Sequence, residues 1–110
     1  MFKVSSSPQF THPVEVLVPV DGGHEKQTFK ATFKVLDASE DDDKHDLNST
    51  SGSSAFLRDA LISMSDLVDD HGAQLVYSDN LRDQMLKVPY VRTALARAYF
   101  SAITKAAVGN

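Results

Sequence analysis

The pattern that most constrains this chain lies between residues 13 and 36. The run PVEVLVPV sets Val14, Val16 and Val18 on one face and Glu15, Leu17 and Pro19 on the other. A period of two with this β-branched content specifies a strand. After Asp21-Gly22-Gly23-His24, the run 25–36 alternates Phe29, Ala31, Phe33 and Val35 with Thr28, Lys30, Thr32 and Lys34. Two successive glycines permit the positive φ that a tight reversal needs. The two runs predict an antiparallel β-hairpin with one apolar and one basic face. Pro13 and Pro19 cannot donate to a ladder, so the first strand belongs at a sheet edge or ends near Pro19. Residues 1–4 alternate weakly and predict a short edge strand, broken by Ser5 to Ser7 and Pro8.

The second half changes period. From a cap at Ser53 or Ser54, Leu57, Ala60, Leu61, Met64, Leu67 and Val68 form one helical stripe, with Arg58, Asp59, Asp66 and Asp69 facing outward. Gly72 supplies a left-handed end for that helix. Leu75-Val76-Tyr77 is too short for a helix and reads as extended, a candidate third strand for the hairpin. Ser78 caps a further helix over 79–87, burying Leu81 and Met85 with Leu86 beside them. Pro89 then excludes helical geometry at Val88 and opens a last helix over 89–107. Its stripe is Val91, Ala94, Leu95, Ala98, Ala102, Ile103 and Ala106, ending before Gly109.

These readings define an α+β chain. An N-terminal antiparallel β-hairpin, with room for a third short strand, precedes a C-terminal bundle of three to four helices. A length of 110 residues suits one domain. It divides into the hairpin region 1–36, an acidic loop and Ser-rich linker 37–54, and the helical region 55–110. Within the linker, Ser39 with Asp42 could start a helical turn, but Asp41-Asp42-Asp43 repel one another and NSTSGSS has linker composition. The expectation is a mobile acidic loop.

Charge is unevenly spread. Positions 1–36 carry four Lys against three acids (+1), 37–79 two bases against eleven acids (−9), and 80–110 five bases against one acid (+4). Such polarity favours steering of a partner or attraction between the halves. The C-terminal basic residues are dispersed and have no aromatic stacking platform, which argues against nucleic acid. No apolar run approaches the roughly 18 residues of a membrane span. The N-terminus lacks a signal-peptide core, so a cytoplasmic location is expected. Cys is absent, which excludes disulfides, thiolate metal sites and a Cys nucleophile.

Chemistry is hard to find. His12, His24, His45 and His71 are scattered and form no H-x-x-x-H or H-E-x-x-H pair. Asp43 with His45 and Asp46, or Asp69-Asp70-His71, offers metal-ligating groups, but neither has the spacing of a calcium loop. No Walker loop, G-x-G-x-x-G or G-x-S-x-G is present. The serines between 49 and 54 lack a nearby base. No catalytic, cofactor-binding or metal-binding residue is assigned. Instead, Ile62, Leu86, Tyr90 and Phe100 lie off the main apolar stripes and together suggest an exposed groove that binds another helix.

Several stretches then become familiar as a set. Phe10, PVEVLVPVDGG and QTFKATFKVL, followed by FLRDALISMSDLVDDHG, LVYSDNLRDQMLKVPYVRTALARAYFSAI and Asn110, resemble the small tail assembly chaperones of phages and prophages. The resemblance covers nearly the whole chain, most weakly over 37–54. It rests on turns and apolar spacing, not on catalytic signatures. That family often has a Trp near the end of its second helix; here Met64-Ser65 occupies the region, so any contact made by that Trp must differ. The resemblance implies a non-enzymatic chaperone without cofactor that coats the helical tape measure protein and helps recruit tail tube subunits. The tape measure protein would bind helix-in-groove, and tube subunits would add to the hairpin edge by strand pairing. Self-association is compatible with this role. A structural completion or connector protein of a tail or head is the alternative.

Overall fold

The computed structural model describes residues 1–6, 8–36 and 46–104. The order of elements is β1 (Gln9–Val20), β2 (Gly23–Lys34), α1 (Thr50–Ala60), β3 (Leu61–Ser65), α2 (Asp79–Leu86) and α3 (Pro89–Thr104). The expected α+β class is the observed one. Residues 1–6 form no strand, contrary to expectation; the first pairing of the sheet comes only after Ser7.

β1 and β2 form the expected hairpin, with an unbroken antiparallel register from Gln9↔Lys34 to Val20↔Gly23. Asp21 and Gly22 make the reversal, and Gly22 takes a φ of +82° that a side chain would strain. Val14, Val16, Phe29, Ala31 and Phe33 are buried, while Glu15, Thr28 and Lys30 face solvent. Phe33 anchors the sheet's core face. Its ring lies 5.4 Å from Phe10 and 5.5 Å from Tyr99, the latter edge-on.

The expected second helix is corrected. It starts earlier, with Ser49 as N-cap accepting from the Gly52 N–H at 3.0 Å, so the serines read as linker form its first turns. It also stops earlier, at Ala60, and the chain runs straight into β3, which pairs antiparallel with β2. The third strand is therefore Leu61–Ser65, and not the segment Leu75-Val76-Tyr77, which lies outside the sheet. A bulge explains why the strand mimics a helix. Leu61 pairs with Phe33, Ser63 with Thr32 and Met64 with Ala31, so Ile62 is the extra residue. Leu61 and Met64 thereby share the core face at a spacing of three. Joined to Leu57 and Ala60 on α1, they continue an apparent helical stripe across a change of structure.

Gly72 likewise ends no helix. With φ +82° it turns a tight excursion in which Val68 bridges Gln74. The Asp69 carboxylate accepts from the N–H of His71 (2.8 Å) and Ala73 (2.9 Å) and holds that turn. α2 and α3 start where expected, since Ser78 caps α2 by accepting from the Leu81 N–H at 3.1 Å and Pro89 opens α3, but the buried residue of α2 is Leu86, and the expected Leu81 and Met85 are only half-buried. The Arg92 guanidinium donates to the Leu86 carbonyl at 2.7 Å and fixes the angle between the two helices.

A single core joins the sheet and the three helices of the described residues. Among α3 residues, Ala94, Leu95, Ala98 and Tyr99 are buried, whereas Ile103, placed on the expected stripe, is exposed. Tyr99 takes over because an aromatic gap between α1 and the sheet suits its ring. It stacks edge-on against Phe56 at 5.0 Å, and its hydroxyl accepts from the Leu36 N–H at 3.1 Å. Residues 37–45 and 105–110, with the acidic loop and the end of the last helix expected there, lie outside the described residues.

Candidate partner-binding surface

Among the described residues, no polar or charged side chain is buried, and no buried side-chain nitrogen or oxygen lacks a hydrogen bond. A site for chemistry normally holds polar groups in a concave, partly dry place. The densest polar cluster here lies on the surface, where α1 meets α2. The Asp83 carboxylate accepts from Arg82 Nε at 3.0 Å and Arg58 Nε at 3.4 Å, and Arg82 reaches Asp79 at 3.5 Å. The Arg82 hydrogen bond holds the Asp83 carboxyl below its ordinary range, with Arg58 adding to the effect. The same bond pushes the Arg82 guanidinium up. Partial burial raises the neighbouring Tyr77 phenol, against the lowering effect of Arg82. The Arg82 and Asp83 shifts favour the resting ion pairs, of which Arg58–Asp83 joins α1 to α2, while the Tyr77 shift keeps its phenol protonated.

The metal candidates separate in the same way. Asp69 is committed to backbone amides, as above. No group of three metal-ligating side chains converges among the described residues. Asp43 and His45 fall outside them. No helix among the described residues is long and apolar enough to cross a membrane.

The four residues expected to bind a partner have four different surroundings. Leu86 is corrected to the core: it is 2% exposed. The last residue of α2 turns inward because Pro89 and the Arg92 bond fold α3 back over it. Phe100 is 38% exposed, but one face of its ring stacks on Phe56 at 5.5 Å and 15°. Ile62 is 38% exposed at the bulge. Tyr90, 39% exposed, lines two adjoining surface grooves, neither of which includes Ile62, Leu86 or Phe100.

Those grooves form the candidate surface. One is mainly apolar, lined by Val18, Leu67, Val68, Met85, Val91 and Tyr90, with Gln27, Thr28 and Asp66 as its polar members. The other lies along the outer edge of β1, between Glu15 and Leu17 on the strand and Thr93, Ala94 and Arg97 on α3. It extends past Pro13 and His12 to Ala98 and Ser101. Sequence reasoning placed Leu17 on the outward face without singling it out for binding, and it missed Val68 as a surface residue. Leu17 carried a signal, since it was the one large apolar residue on the hairpin's polar face. Val68 carried none, because its helical spacing matched the core stripe.

Comparisons with protein-family models, with curated proteins and with solved structures found no match to this chain.

Proposed function

We propose that this chain is a non-enzymatic tail assembly chaperone, acting in the host cytoplasm to bind the tape measure protein and help recruit tail tube subunits. The observation that carries the reading is the mainly apolar groove around Tyr90, with Val18, Leu67, Val68 and Met85, on a protein in which no buried side-chain nitrogen or oxygen among the described residues is left without a hydrogen bond. A groove of that lining suits the apolar stripe of an amphipathic helix, the element a tape measure protein presents along its length. The resemblance of the hairpin and α2–α3 segments to the chaperone family supplies the identity of the helix.

Co-expression tests this directly. The chain should render a tape measure protein encoded beside its gene soluble and co-purify with it, and Tyr90→Asp should abolish the complex without loss of helical circular dichroism. A tape measure protein that stays insoluble, with no complex recovered, would refute the proposal. Recovery of the chain in stoichiometric amounts from finished tails would assign it instead to a structural completion or connector role.

A further inference from the structure

The hairpin register determines which backbone groups of β1 are unused. The Val35 N–H donates to the Pro8 carbonyl at 3.0 Å, and pairing continues without a break to Val20↔Gly23. Hydrogen-bonded pairs alternate in an antiparallel ladder, so the even-numbered residues of β1 bond to β2 and the odd-numbered ones point their N–H and C=O away from it. β1 is an edge of the sheet. Glu15 and Leu17 therefore present both a donor and an acceptor to the groove beside α3, while Pro13 and Pro19 present only acceptors. The two prolines sit at outward positions, where they cost the hairpin no bond and close the edge on either side to a long incoming strand.

We infer that the stretch of β1 between Pro13 and Pro19 is a docking site for a short extended segment of another protein carrying an acidic side chain. The backbone groups of Glu15 and Leu17 specify an extended chain, since only a strand offers matching groups at a two-residue repeat. The groove wall on α3 is built from Ala94, Ala98, Ser101 and Thr93, small enough to admit a backbone beside the edge. α3 contains no acidic residue, and Arg97 lines both parts of the groove without an ion pair among the described residues. Glu15 is already matched by Lys26 at 3.7 Å, which leaves Arg97 as the charge the segment must answer. Leu17, 49% exposed, supplies an apolar seat on the strand side. The site stands whether or not a tail tube subunit donates the segment; only the donor's identity depends on the proposed function.

The test uses the full chain and a ribosome-displayed library of random linear peptides. Enriched peptides should alternate β-branched residues with polar ones, include Asp or Glu, and lack proline at the centre. Amide exchange should show the Glu15 and Leu17 N–H open in the dilute free chain and protected by an enriched peptide. Leu17→Pro, which removes an outward donor without touching the ladder to β2, should preserve the melting temperature and weaken peptide binding about tenfold. Arg97→Glu should reverse the preference for acidic peptides. The inference is overturned if no peptide is enriched, if enriched peptides are helical in period, if Leu17→Pro binds as well as the parent, or if both amides are already protected at low concentration. Protection that grows with protein concentration alone would identify a second copy as the occupant, which also overturns it. None of these outcomes depends on a tape measure protein.

Discussion

Gly52 occupies the first turn of α1, where the preceding loop folds over the helix end. The Asp46 carbonyl there accepts from both the N–H and the hydroxyl of Ser49 at 3.1 Å, and a Cβ on Gly52 would overlap that same carbonyl. In an open helix Gly→Ala stabilises by about 0.5–1 kcal/mol. Here the sign reverses, and Gly52→Ala is expected to lower the urea midpoint. Leu86 and Tyr90 make a second contrast, four residues apart. Leu86→Asp puts an unpaired carboxylate into an apolar core and should cost more than the roughly 2–5 kcal/mol of a Leu→Ala cavity. Tyr90→Asp should leave stability within about 1 kcal/mol, because the ring is partly solvated and carries no core contact that closes on loss. Chemical denaturation of both variants checks the pair; equal destabilisation would place Tyr90 in the core.

Among the elements, β3 is the one that depends most on its surroundings. LISMS can be helix or strand, and a partner edge on β2 decides. If it is a bulged strand, Ile62→Lys is neutral within about 0.5 kcal/mol and Met64→Lys prevents folding. A helix continuing from α1 would respond differently, because Ser65 and Val68 would then share the inward face with Leu61. Scanning 61–68 with Lys and reading far-UV circular dichroism separates the two. The contact between α1 and α2 adds a pH signature. The folded Asp83 carboxyl lies below its unfolded value, so its contribution is full above the ordinary carboxylate range and fades as pH falls through the lowered folded value. Asp83→Asn should therefore destabilise slightly at neutrality, the pair being largely exposed and screened, and flatten the acid limb so that the difference from the parent disappears as pH falls below about 4.

At the scale of the molecule, one core runs from the hairpin through all three described helices, with Phe33, Tyr99 and Phe56 linking sheet to helix. Such a core has no internal boundary at which half of the chain could unfold alone. Calorimetry should show one transition whose van't Hoff and calorimetric enthalpies agree; two transitions would show that the hairpin and the helices are separate units.

The amino-acid sequence by itself determined the elements whose signals are local. Alternation with β-branched residues specified the hairpin, Gly22 its reversal, Pro13 and Pro19 its place at an edge, and Ser78 and Pro89 the starts of the last two helices. Each of these works through nearest neighbours along the chain, so it is legible there. Tertiary structure alone decided the rest. The stripe Leu57–Ala60–Leu61–Met64 satisfies a helix and a helix joined to a bulged strand equally well, and only the open edge of β2 selects the second. Which of Ile62, Leu86, Tyr90 and Phe100 meets solvent was settled by Arg92 folding α3 over Leu86 and by Phe56 taking one face of Phe100. The candidate surface emerged in the same way, because the groove beside β1 exists only once α3 is packed along the strand.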